Sequence, residues 1–198
     1  MKRLFLRKIY RLALLAIIII YYYWPKKYVV LTVSLAFLFS LALDVIRLFS
    51  PKANEVVKSI FKPFARFMRF IAKKEELRDL TGTTYSLMGC TIIVAFFPRY
   101  IGIPAILFNT FGDMAATMVG KKFGHIKIMN GKKSLEGSVA CFSVMFLVVI
   151  WAHIKLQLPL LSGTLGALTG TITELISLKI NDNLTIPIFS GVVMWLLH

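Results

Sequence analysis

Apolar positions fall in long blocks separated by short polar or charged breaks. The blocks at 9–24, 28–49, 82–98, 100–119, 135–154, 156–178 and 184–197 approach the roughly 20 residues that a membrane-crossing helix needs. The first, third and last are short, and no stretch alternates apolar and polar residues long enough to suggest a barrel. The pattern predicts an all-α, polytopic integral membrane helix bundle of about seven transmembrane helices. Pro104, Pro159 and Pro187 stand near span starts, where a missing N–H is tolerated. In the sixth block Gly166 and Gly170 make a small-xxx-small face suited to close helix packing.

Between the second and third blocks the pattern changes. Val57, Ile60, Phe61, Phe64, Phe67, Met68 and Ile71 recur at helical spacing, with Lys58, Lys62, Arg66, Arg69 and Lys73 between them. This predicts a basic amphipathic helix lying in the interface, bent near Pro63. It is either a membrane-hugging connector or a basic lid that gathers anionic lipid or nucleotide. The chain thus divides into an N-terminal transmembrane hairpin (1–50), a cytoplasmic basic segment (51–80) and a transmembrane core (81–198) carrying a loop at 120–134.

Composition sharpens the class. Of 198 residues 58% are hydrophobic, yet the net charge is +15; a soluble domain is roughly 45–50% apolar. Disorder is excluded by the apolar content, and a soluble nucleic-acid-binding domain by the excess of it. Seven spans put twenty of the 24 Lys and Arg on one side. By the positive-inside rule that side is cytoplasmic, as is the N-terminus, and an inner cell membrane is the expected location. The first block lacks a small-residue cleavage site and ends in the aromatic Tyr21–Trp24, so it reads as a retained anchor. Cys90 and Cys141 lie in apolar runs and read as buried free thiols, and no Cys/His cluster has metal spacing.

Acids inside apolar blocks are the chemical signal. Asp44 stands three residues before Arg47, which predicts an i,i+3 ion pair. Asp113 interrupts the fourth block, Glu174 closes the sixth and Asp182 opens the last. A charge within a span costs at least about 2.5–3.5 kcal/mol and marks a functional site by default. Glu136, in the first turn of the fifth block, fits the helix dipole without further function. All fall toward the same end as the lysines of the 120–134 loop. Carboxylates beside lysines at the headgroup level suggest Mg²⁺ and a phosphate substrate, because Mg²⁺ is held by one or two carboxylates plus phosphate oxygens. In the loop, Gly120 and Gly124 allow close backbone approach, and Lys132, Lys133 and Ser134 lead into a helix whose N-terminus can seat a phosphate. The order is not that of a Walker A loop.

These residues carry a resemblance. Gly112-Asp113, Gly120, Gly124, the run Lys133-Ser134-Leu135-Glu136-Gly137-Ser138, Glu174, and Asp182-Asn183-Leu184-Thr185-Ile186-Pro187 together resemble the dolichol kinase, phytol kinase and CTP-dependent diacylglycerol kinase family, relatives of the phosphatidate cytidylyltransferases. Glu75–Tyr85 and Phe97-Pro98-Arg99 also look like that family's pattern, so the resemblance covers about 75–191. It implies transfer of the γ-phosphate of a nucleoside triphosphate, typically CTP, to a lipid alcohol. It further implies that Asp113, Lys133, Glu174 and Asp182 are catalytic, with Asp113 and Asp182 on Mg²⁺. Arg78, Gly112, Gly120, Gly124, Lys132, Ser134, Gly137 and Asn183 would contact nucleotide or phosphate. A phosphatidate cytidylyltransferase and a non-enzymatic small transporter or scaffold are the alternatives; the off-centre acids and the lack of an internal repeat speak against a transporter.

Overall fold

The computed structural model describes residues 14–49, 79–129, 131, 133–176 and 180–198. The basic amphipathic segment, Arg78 and Lys132 lie outside the described residues. The apolar blocks become helices: α1 (Leu14–Tyr23), α2 (Lys26–Phe49), α3 (Gly82–Phe96), α4 (Arg99–Leu107), α5 (Asp113–Lys122), α6 (Leu135–Leu156), α7 (Leu160–Ile176) and α8 (Asp182–Leu196). A π-helical turn, Phe108–Gly112, joins α4 to α5 without a break. Every predicted block therefore has its own helical rod. Among the described residues α2 and α6 are long and apolar enough to cross a membrane, whereas α1, α3, α7 and α8 are shorter apolar helices. The only sheet among the described residues is a hairpin of β1 (Lys127–Ile128) and β2 (Lys133–Ser134), with Lys127 opposite Ser134. The fold is all-α.

The core holds Ile93, Ile101, Ile103, Phe108, Met145, Ile186 and Met194. The outside is equally oily. Ile19, Leu35, Phe39, Phe96, Leu147, Ile154 and Leu161 are all more than half exposed. A surface apolar on so many rods is not one that water favours, and it supports a membrane location. The predicted small-residue face packs helix on helix. A Cβ on Gly166 would meet Met194 Cγ at 2.4 Å, and one on Gly170 would meet Ser190 Oγ at 2.7 Å.

The two ends differ. At one, Tyr21 Oη and Lys26 Nζ donate to the Phe97 carbonyl at 3.1 and 3.0 Å, and Arg99 donates to the Trp24 carbonyl. Phe97 also meets Trp195 edge to face. The acids gather toward the other end. Gly82 is 14 residues from Phe96, Asp113 14 from Arg99, and Glu174 14 from Leu160. At 1.5 Å per residue these three share one level, about 20 Å from the aromatic end. The α4–α5 rod runs on past that level to Lys122.

Candidate active site

The base of the site begins with a proline. Pro187, inside α8, has no N–H to offer the carbonyl of Asn183 four residues earlier. That carbonyl is free to accept from Asn109 Nδ2 in the π-helical turn, at 3.3 Å. Asn183 Nδ2 in turn donates to the Gly82 carbonyl at 3.1 Å. Two side chains thus tie the N-termini of α3 and α8 to the middle of the α4–α5 rod. Gly89 permits the approach, since a Cβ there would lie 3.0 Å from the same Asn183 oxygen.

The N-terminus of α3 is fixed from the other side. Asp44 Oδ2 accepts from Thr81 N at 2.7 Å, Thr81 Oγ1 at 2.9 Å and Thr84 Oγ1 at 2.7 Å, while Oδ1 pairs with Arg47 at 3.1 Å. The expected Asp44–Arg47 ion pair is present. Asp44 also caps a neighbouring helix, which anchors α3 to α2.

Above this base the hairpin delivers a cation. β2 brings Lys133 between two carboxylates: its ammonium bonds Glu174 Oε1 and lies 3.9 Å from Asp182 Oδ2. Glu174 is 2% exposed, so its charge needs a partner, and Lys133 supplies one. Ser134, the next residue, is buried and caps α6 by accepting from Gly137 N at 3.2 Å. The Leu135 N–H is taken by the Ile126 carbonyl at 3.0 Å. Glu136 Oε1 receives His125 N and Ile126 N at 2.8 and 3.0 Å, so it closes the loop onto α6.

The glycines serve the same closure. A Cβ on Gly124 would lie 2.2 Å from the Gly120 carbonyl oxygen and 2.6 Å from Ser134 Oγ. One on Gly137 would lie 2.8 Å from the Ala116 oxygen, and one on Gly120 2.8 Å from Ser134 Oγ. The close approach they permit is that of loop to helix. Gly112 likewise lets Met145 and Cys141 press on the π-helical turn. Asp113 follows directly, 7% exposed, and accepts from Thr117 Oγ1 at 3.4 Å.

The structure therefore joins Lys133, Glu174 and Asp182, sets Asp113 and Asn183 toward the same end, and turns Gly120, Gly124, Gly137 and Ser134 toward packing. Asn109 and Thr81 are additional: a neutral polar residue in an apolar run gives no charge signal, and the π-helical turn that displays Asn109 depends on tertiary packing. Among the described residues no three His, Cys, Asp or Glu side chains are grouped to hold a metal ion. Mg²⁺ does not need such a cage, because substrate phosphates complete its shell. Asp113, Glu174 and Asp182 offer hard oxygen donors, of the kind that suits a divalent cation arriving with a polyphosphate.

No family model matches the chain, and no solved structure matches it. Curated relatives do. The CTP-dependent diacylglycerol kinase 1 of Eremothecium gossypii is 27% identical over 188 residues, 83% of this chain and 57% of that protein. A probable chloroplastic phytol kinase of Triticum aestivum is 34% identical over 140 residues, 63% of this chain and 46% of that protein. The dolichol kinase of Schizosaccharomyces pombe is 28% identical over 154 residues, 69% of this chain and 29% of that protein. The chain thus spans little more than half the length of the first and less of the others.

Proposed function

We propose, for a chain homologous to the polyprenol and lipid kinases, that it is a seven-span membrane kinase acting at the cytoplasmic face. It transfers the γ-phosphate of CTP to the hydroxyl of a lipid alcohol, either an isoprenoid alcohol such as a polyprenol or diacylglycerol. The observation that carries this reading is Lys133 held between Glu174 and Asp182 at the level of Asp113. It is a charged cluster at one end of a largely apolar bundle, where ionisable groups mark a functional site by default.

In the reaction the alcohol oxygen forms a bond to the γ-phosphorus, and the bond from that phosphorus to the β,γ-bridging oxygen breaks. CDP leaves with the bridging oxygen and its electron pair. Glu174 or Asp182 takes the hydroxyl proton. Lys133 supplies a point charge to the transferring phosphoryl group, and Ser134, whose oxygen caps α6, keeps its own proton to donate. Lys132 and Arg78 are further phosphate contacts. Asp113 and Asp182 would hold Mg²⁺, which when bound offsets the phosphate charge. Phosphoryl transfer is catalysed mainly by such positioning and neutralisation. The lipid enters sideways from the bilayer, so only its hydroxyl has to reach the polar cluster.

The test is purified protein with Mg²⁺ and each labelled triphosphate over a panel of lipid alcohols. CDP and a phosphorylated lipid are expected, with activity lost in EDTA and restored by Mg²⁺. Pyrophosphate and a CDP-lipid would instead mean a cytidylyltransferase, and no transfer at all would remove the reading.

A further inference from the structure

One exposed stretch at the acidic end takes no part in the chemistry above. Past Asp113, α5 runs on through Lys121 and Lys122, and the chain then passes Phe123, Ile126 and Lys127 before the hairpin returns to Leu135. The three lysines are exposed, and Phe123, Ile126 and Leu135 are each about half exposed. The Lys122 ammonium stands 5.0 Å from the centroid of the Phe123 ring. The register that sets Lys127 opposite Ser134 sets Ile126 opposite Leu135, so those two share a face of the hairpin. That face continues a longer one. Leu135 is followed at helical spacing by Val139, Leu147 and Ile154, all turned outward on α6. Leu135 is 19 residues from Ile154, about 28 Å along the helix and close to a hydrocarbon thickness of about 30 Å. With Ile154 at one boundary of the bilayer, Leu135 and Ile126 reach the other.

We propose that this stretch is a docking surface for anionic phospholipid of the host bilayer: Ile126 and Leu135 enter the edge of the hydrocarbon, and Lys121, Lys122 and Lys127 hold headgroup phosphates beside it. The proposal goes beyond the kinase reading and rests on α6 crossing the membrane. Composition selects the occupant. A nucleotide in water is drawn by the lysines but gains little from exposed Ile126 and Leu135, whereas the interface rewards cations and apolar side chains together. The backbone suits the same place, since Glu136 takes the N–H groups of His125 and Ile126, and the Ile126 carbonyl takes that of Leu135. Each lysine near an anionic surface gains about fivefold in binding. Because β2 also carries Lys133, seating the hairpin on headgroups steadies the cation of the site, and turnover depends on anionic lipid.

The test uses the full-length protein in nanodiscs of phosphatidylcholine, alone or mixed with phosphatidylglycerol. A nitroxide on Ile126→Cys is compared with one on Leu147→Cys; Cys90 and Cys141 are buried and stay in place. In mixed discs position 126 should meet oxygen more readily than a water-soluble nickel chelate, though less strongly so than position 147. If Ile126→Cys does not fold, Leu135→Cys reads the same boundary. Turnover should be about fivefold higher in mixed discs than in phosphatidylcholine, and Lys121→Gln, Lys122→Gln and Lys127→Gln together should bring that ratio near one. A label at 126 that reads water while 147 reads lipid overturns the docking surface and leaves the spanning bundle standing. Water at both positions overturns both. Equal turnover of the wild type in the two discs, or an advantage that survives in the triple variant, overturns the docking surface as well. A triple variant whose KM for CTP rises in phosphatidylcholine alone does the same, and gives the lysines to the nucleotide. With no transfer in any disc the kinase reading falls by itself, and the labels still decide the docking surface.

Discussion

Single side chains set the character of the site. Lys133 and Glu174 depend on each other, because Glu174 is buried and its charge is met by that ammonium. Removing one partner of a buried pair costs about 3–5 kcal/mol, while replacing both by apolar groups is often neutral. Lys133→Met should therefore lower both thermal stability in detergent and activity, and Lys133→Met with Glu174→Leu should recover most of the stability and none of the activity. A double variant as unstable as the single one would mean that Lys133 contributes through packing. Asp113→Asn keeps the shape of the side chain and removes its charge. Phosphate transfer should fall at least about 100-fold with membrane insertion intact, as read by turnover and by resistance to carbonate extraction. Asp113, Glu174 and Asp182 stood out in the sequence because a charge in an apolar run is costly wherever the chain goes. Asn109 did not, because its burial and its partner come from α8.

Elements hold these side chains in register. The rods were legible as apolar blocks, since only helices satisfy their own backbone where water is absent. The pairing of Lys133 with Glu174 was not, because it follows from the register of a short hairpin and from how α6 and α7 lie together. The glycines of the 120–137 stretch were visible as residues that allow a close approach, but which groups approach is a matter of packing. A methyl group on Gly124 collides with backbone, whereas one on Gly131 meets nothing within 4 Å and only the positive φ of 81° opposes it. Gly124→Ala should cost about 1–3 kcal/mol, and Gly131→Ala about 1 kcal/mol. Comparative thermal unfolding checks the order. Transfer activity should fall in Gly124→Ala alone, because the collision displaces Ser134 beside Lys133.

At the scale of the molecule, the turns alternate between an aromatic end and an acidic end, as an up-and-down bundle requires. If the acidic end is cytoplasmic, an impermeant maleimide added to intact cells should label cysteines placed at Lys27 or Arg99 in a background without Cys90 and Cys141. It should spare those placed at Lys121 or Lys127. Labelling of the second pair alone would invert the protein. The bond between Lys133 and the buried Glu174 has a last consequence, for turnover in the proposed reaction. An ammonium that turned to a phosphate would leave Glu174 less well met and would come back to it when the phosphorylated lipid departs, so release of the product would restore a pairing that its formation had loosened.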